Sequence, residues 1–155
     1  MSPDAAAAIL AAAYRHQRAW TAQEVAATLE TPGARLFHTQ GAVLIARLLP
    51  EEAEILALAT DPARQRTGAA MQLLQSFHVA ARSEGATRAF LEVAAANAPA
   101  RALYTAAGYA EIGRRPRYYR LVDGHRDDAV VMQRALDEKS ALTSRERPVP
   151  GPKSG

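Results

Sequence analysis

A chain of 155 residues, 48% hydrophobic and 23% charged, has the composition of an ordinary globular domain and the length to bury one sizeable core. It has no cysteine, which excludes a disulfide scaffold, a thiolate metal site and a cysteine nucleophile, and suits a reducing compartment. A formal charge of +3 is too small to point to nucleic acid without a basic face; it favours attraction of an anionic ligand.

The first apolar run, "AAAAILAAA" from Ala5 to Ala13, has no basic residues ahead of it and is far too short to span a bilayer. No other stretch reads as a transmembrane segment, so a cytoplasmic protein is expected. The run predicts a first helix reaching about Arg18, capped by Ser2 or Asp4, with Pro3 in its first turn. A second start signal follows. Thr21 and Glu24 have capping-box spacing, and Trp20 and Val25 stand where a hydrophobic staple packs. That helix should stop before Pro32-Gly33. Three strands then read as an antiparallel meander, Arg35–His38, Ala42–Leu49 and Glu54–Thr60, with "TQG" and "PEE" as their turns.

From Gly68 the period changes. Met71, Leu74, Phe77, His78 and Ala81 recur at helical spacing, Arg82 falls in the last turn, and Gly85 suits the position after the helix. Arg88–Ala94 reads as a buried strand, Asn97 as the cap of a further helix with Pro99 in its first turn, and Gly108 as its stop. Tyr109–Arg114 and Asp128–Leu136 read as the last strands. Residues 137–155, rich in charge, Pro and Gly, predict a disordered tail. The order implies an α+β fold: a mixed sheet with helices on both faces. Its strand–helix–strand crossover makes part of the sheet parallel and opens a gap for a ligand.

The loop before the long helix, Gln65-Arg66-Thr67-Gly68-Ala69-Ala70, carries the first chemical signal. It is neither a P-loop nor a dinucleotide fingerprint, since it holds one glycine and no GxxxxGK[ST]. In such a turn successive N–H groups can face one concavity, and the helix adds its positive end. Gly68 lets an anion approach the backbone, and Arg64 and Arg66 lend charge. Read alone, the loop fits a solvated turn equally well. The histidines lack metal spacing, and His78 on an apolar face reads as packing.

The stretches "LATDPARQRTGAA", "FLEVAAANAPARALYTAAGYAEIGRRPRYYR" and "DGHRDDAVVM" together resemble the GNAT superfamily of N-acetyltransferases. Within it they are most similar to the bacterial ribosomal-protein-alanine N-acetyltransferases, the RimI type. The resemblance covers Tyr14 to Leu136 and implies the GNAT fold in one domain over residues 1–136, with the first strand of the family reduced or absent. It implies that Leu58, Ala59 and Thr60 present backbone groups to the pantetheine arm of acetyl-CoA, as a sheet edge accepts an added strand. Arg66, Thr67, Gly68, Ala69, Ala70 and Met71 would wrap the pyrophosphate, and Asn97 would reach the cofactor from the next helix. Glu92 matches the general base of the family and Tyr104 its general acid.

Acyl transfer from a thioester to an amine suits those residue types. A carboxylate at Glu92 can take the amine proton, directly or through a water. The Tyr104 phenol can protonate the departing thiolate, and backbone N–H groups where the strands part can hold the oxyanion. No metal is required. Without the resemblance, Glu92 also fits a solvent-facing strand position and Tyr104 a core position with its hydroxyl at the rim. The paired tyrosines of "GRRPRYYR" match a family segment near the peptide channel. Departures from the family pattern are Ala70 for a second glycine, Arg64 for an aromatic residue and Ala94 for an arginine.

The function implied is acetylation of a protein N-terminus, the alanine of a ribosomal protein, with acetyl-CoA as donor and no membrane or direct nucleic-acid partner. With reference pKa values of about 7.8 and 10.4, roughly a tenth of α-amines but under a thousandth of lysines are neutral at pH 7, which suits a lone carboxylate base. A lysine or small-amine acetyltransferase and a non-catalytic acyl-CoA-binding module are the alternatives.

Overall fold

The computed structural model describes residues 1–14, 19–65 and 67–136; Arg66, part of the predicted first helix (residues 15–18) and the predicted tail lie outside them. Helix α1 spans Pro3–Ala13, and the Ser2 hydroxyl accepts from the Ala5 N–H at 3.1 Å. It ends earlier than the alanine run predicts. Tyr14 leaves the helix in extended conformation, and its half-buried ring packs against the core instead of continuing the turn. Helix α2 spans Ala22–Leu29 behind a complete capping box, with Glu24 N–H donating to Thr21 Oγ1 at 3.1 Å and Thr21 N–H to Glu24 Oε1 at 2.8 Å. Trp20 and Val25 join the same cluster, as a staple requires.

Strands β1 (Ala34–Thr39), β2 (Ala42–Leu48) and β3 (Glu51–Thr60) form the antiparallel meander. β3 begins three residues before the predicted Glu54, inside "PEE". Those residues are held by strand β4, Ala86–Ala94, which pairs with β3 in parallel from Glu51↔Ala86 onwards. A partner that distant in sequence leaves no local mark. Helix α3 (Ala69–Ser83) makes the crossover between them, and helix α4 (Ala98–Ala106) follows, capped by Asn97, whose Oδ1 accepts from the Ala100 N–H at 3.3 Å. Strands β5 (Ala110–Arg120) and β6 (Arg126–Ala135) close the six-stranded sheet, ordered β1-β2-β3-β4-β6-β5. β5 runs to Arg120 rather than Arg114, because its pairing with β6 resumes at Tyr119↔Asp127 after an irregular stretch.

Helices cover both faces. On one, Leu73, Leu74 and Phe77 of α3 bury against Leu44, Ile55, Leu91 and Val130. On the other, Ala6, Leu10 and Val25 bury against Val43, Ile45, Ala57 and Ala59. β2 lies under both layers, so "AVLIARL" shows no polar alternation. Each large side chain so buried contributes about 1.5–3 kcal/mol.

One irregularity shapes the site. Ile45 pairs with Ala57 and Ala46 with Ile55, which leaves Leu56 as an extra residue in β3. A bulge bends its strand and interrupts pairing. Ala53 and Ile55 accordingly pack under α3, whereas Ala57 and Ala59 pack under α1 and α2. Parallel pairing with β4 reaches only Ile55↔Leu91. Past the bulge the two strands part, and the β3 edge is left open towards the gap.

A buried polar group backs the gap. His78 lies between Arg134, whose Nη1 is 2.9 Å from His78 Nδ1, and Tyr109, whose hydroxyl is 2.8 Å from Nε2. Arginine can only donate, so Nδ1 accepts and Nε2–H donates to Tyr109. Burial, then the charges of Arg134 and Arg82, hold the His78 pKa down at about 3. Tyr109 in turn meets the Tyr104 ring edge-on, centroids 5.9 Å apart. Between pH 6.5 and 3 the unfolded chain binds a proton that the folded chain refuses, so stability is full above about pH 6.5 and falls as the pH drops. The expected slope approaches about 1.4 kcal/mol per pH unit below pH 6. Urea unfolding of wild type and His78→Gln from pH 7 to 4 checks this: the variant should lose that much less per unit, and parallel curves would contradict it.

Candidate active site

Two adjoining cavities occupy the gap. One, of about 320 Å³, lies where β3 and β4 part and is lined by Glu54, Leu56, Glu92, Tyr118 and Tyr119 among others. The second, of about 480 Å³, runs along Leu58, Ala59 and Thr60 to the start of α3, where Gly68, Ala69, Ala70 and Met71 line it. Leu58, Asn97, Ala100 and Tyr104 stand in the walls of both. The space is therefore a channel from the helix end, past Tyr104, to the tyrosine pair of β5.

The helix end has the geometry of an anion cradle. Gly68 is the N-cap of α3 in left-handed conformation, φ +84°, and supplies no side-chain cap. The first helical bond to it comes from Gln72 N–H, at 3.0 Å. The N–H groups of Ala69, Ala70 and Met71 thus have no intrahelical partner, and they gather where the helix dipole is positive. A Cβ built on Gly68 would meet none of the described residues within 4 Å, so a ligand can rest directly on the backbone. Thr67 does not line the cavity; its hydroxyl donates to Arg64 O at 2.7 Å and holds the turn. Arg64 lines the cavity and is tied to Gln40 at 3.1 Å. The position of Arg66 is outside the described residues.

Glu92 sits on β4 inside the channel, its side chain 20% exposed and Oε2 buried. The Arg115 guanidinium stands against that oxygen as an ion-pair partner without hydrogen-bond alignment, and it also lies over the Tyr118 ring, 5.5 Å from its centroid. Tyr104 is buried on α4 and lines both cavities, and its hydroxyl bonds no described residue. Burial is the main cause that lifts its pKa far above the ordinary phenol value, with Tyr14, Tyr109 and Tyr119 adding to it. Tyr119 is raised likewise, by burial and then by the Glu92 charge, and burial pushes Tyr14 up to about 12. These phenols stay protonated at any pH the protein meets. The channel can thus offer backbone donors at one end, and a carboxylate beside neutral hydroxyls in the middle.

The structure brings together Leu58, Ala59, Thr60, Gly68, Ala69, Ala70, Met71, Asn97, Glu92 and Tyr104. It adds wall residues that periodicity missed: Tyr14, Trp20 and Glu54. Tyr14 sits at a helix end and Glu54 beside a presumed turn, and neither position carries a motif. The one available signal for Tyr14 was a large aromatic residue closing an alanine-rich helix.

The sequence profile of the acetyltransferase (GNAT) family matches residues 9–109. The ribosomal protein bS18 alanine N-acetyltransferase of Haemophilus ducreyi is 37% identical over 91 residues, 59% of this chain and 63% of that protein. The enzyme of the same name from Escherichia coli K12 is also 37% identical over 91 residues, 61% of its length. Both alignments thus span less than two thirds of the relative. The crystal structure of the ribosomal-protein-S18-alanine N-acetyltransferase from Escherichia coli superposes with a TM-score of 0.77 at 30% identity, over 87% of this chain and 88% of that one. The mixed six-stranded sheet of this chain, its splayed strands and these matches together have one explanation: the chain belongs to the GNAT acetyltransferase family.

Proposed function

We propose that this protein transfers the acetyl group of acetyl-CoA to the N-terminal α-amine of a protein, the N-terminal alanine of a ribosomal protein. The observation that carries the reading is the continuous channel joining the open helix end at Gly68 to Glu92 and Tyr104. Relatives named as alanine N-acetyltransferases support the acceptor.

In this reading the N–H groups of Ala69, Ala70 and Met71 hold the pyrophosphate, with Thr67 shaping the turn and Arg66 adding charge. The open β3 edge from Leu58 to Thr60 bonds the pantetheine amides, Asn97 flanks them, and backbone N–H groups at the splay receive the oxyanion. The acceptor enters from the side of Tyr118 and Tyr119. Glu92 removes the proton as the amine attacks the thioester carbonyl, and the carbon–sulfur bond breaks as Tyr104 donates its proton to sulfur. An ordinary phenol is already protonated near pH 7, so Tyr104 arrives loaded, and because burial makes it a weaker acid it gives up its proton only as negative charge builds on sulfur. Arg115 orients the Glu92 carboxylate until the acceptor arrives. We place the reaction in the cytoplasm. Among the described residues no helix is long and apolar enough to cross a membrane.

Thiol release from acetyl-CoA with an Ala-starting peptide, and mass spectrometry of protein N-termini in cells with and without the gene, test the reading. The expected result is a single added acetyl on an alanine α-amine. Faster consumption of an N-terminally blocked lysine peptide would overturn it.

A further inference from the structure

Glu54 lies on β3 in the wall of the cavity that also holds Glu92, Tyr118 and Tyr119. One of its oxygens accepts from Arg47 Nη1 of β2, directly opposite in register, at 3.4 Å. The other oxygen bonds no described residue. Glu54 sits two residues before the bulge at Leu56, next to the point where pairing with β4 ends, so its carboxylate stands at the entrance to the splay beside Glu92.

We propose that Glu54 is a specificity-determining residue that receives the positive charge of the acceptor amine and presents it to Glu92. The inference rests on the acetyl-transfer reading above and names what selects its acceptor. A primary amine reaches the channel mostly as an ammonium, which needs an anionic host before it can lose its proton. Glu92 is already engaged by Arg115. Among the described residues one Glu54 oxygen has no partner, and the tie of the other to Arg47 is long and single, so it is the carboxylate ready to take a cation. Among the described residues the charged groups around it are Arg47 of β2, Glu52 of β3 (itself paired with Arg88 of β4 at 2.7 Å), Glu92 of β4 and Arg115 of β5. Burial raises the Glu54 pKa and the charges of Glu92 and Glu52 add to this, while Arg47 and Arg115 oppose it. Docking should therefore weaken as the pH falls through that raised pKa.

Glu54→Gln keeps the shape and removes the charge. With an Ala-starting peptide its KM should rise about 10- to 100-fold, the range of one charged hydrogen bond, with kcat and the KM for acetyl-CoA changed little. Glu54→Asp should recover part of the loss, and the rise of peptide KM at low pH should vanish in Glu54→Gln. Binding is read separately by calorimetry with CoA present, comparing the peptide with its desamino analogue. Wild type should prefer the free amine and Glu54→Gln should not. An unchanged peptide KM and an unchanged preference for the amine would overturn the proposal. A wild type that binds the amine selectively but never acetylates it would overturn the transfer reading and leave the role of Glu54 in amine binding standing.

Discussion

Glu92→Gln should bind acetyl-CoA like wild type and turn over an Ala-starting peptide about 10²–10⁴-fold more slowly, the usual contribution of a general base. The substitution keeps the side-chain volume where Oε2 is buried, and the Arg115 side chain, 62% exposed, can turn to solvent. The loss is then chemical and not structural. Raising the pH should recover part of the rate, because more of the amine arrives neutral. Tyr104→Phe should also lower turnover, yet high pH should not restore it, since what is lost is a proton donor. The ring keeps its place against Tyr109, so the fold should hold. Stopped assays across pH 6 to 10 on both variants decide the matter. Wild-type turnover in both would remove these two residues from the mechanism.

Gly68→Asp should weaken acetyl-CoA binding by roughly 10²-fold or more, as a carboxylate placed against two phosphates costs several kcal/mol in a partly desolvated site. The fold should survive. A Cβ at this position meets no atom of the described residues within 4 Å, and the left-handed conformation costs an aspartate on the order of 1 kcal/mol. Two controls separate the causes. Gly68→Asn adds similar bulk without the charge and should bind with intermediate affinity. Gly85→Asp meets a similar φ of +95° with equally open space, remote from the channel walls, and should bind acetyl-CoA normally. Unchanged affinity in a folded Gly68→Asp protein, measured by calorimetry, would remove the pyrophosphate from the start of α3.

Much of this protein was legible in its sequence because the signals are local. Thr21 and Glu24 close their capping box within one turn, Asn97 caps α4, and Gly68, Gly85 and Gly108 mark places where the backbone takes positive φ. Such features depend on neighbours a few residues away, and the chain carries them wherever it goes. The order of elements, and with it a mixed sheet covered on both faces, followed from the same kind of mark. The loop at Gly68 was legible as a motif, although its residues alone fitted a solvated turn as well. What only the tertiary structure decided is set by partners far apart in the chain. β3 begins at Glu51 because β4 pairs with it. It bends at Leu56 because β2 skips that residue in its register, and nothing in "EILALAT" announces the skip. Past that bend the two strands part, and pairings between distant strands likewise bring Glu54 and Glu92 to one cavity and Arg115 against Glu92. A hydrogen-bond register between strands is a property of pairs, so no single strand can declare it.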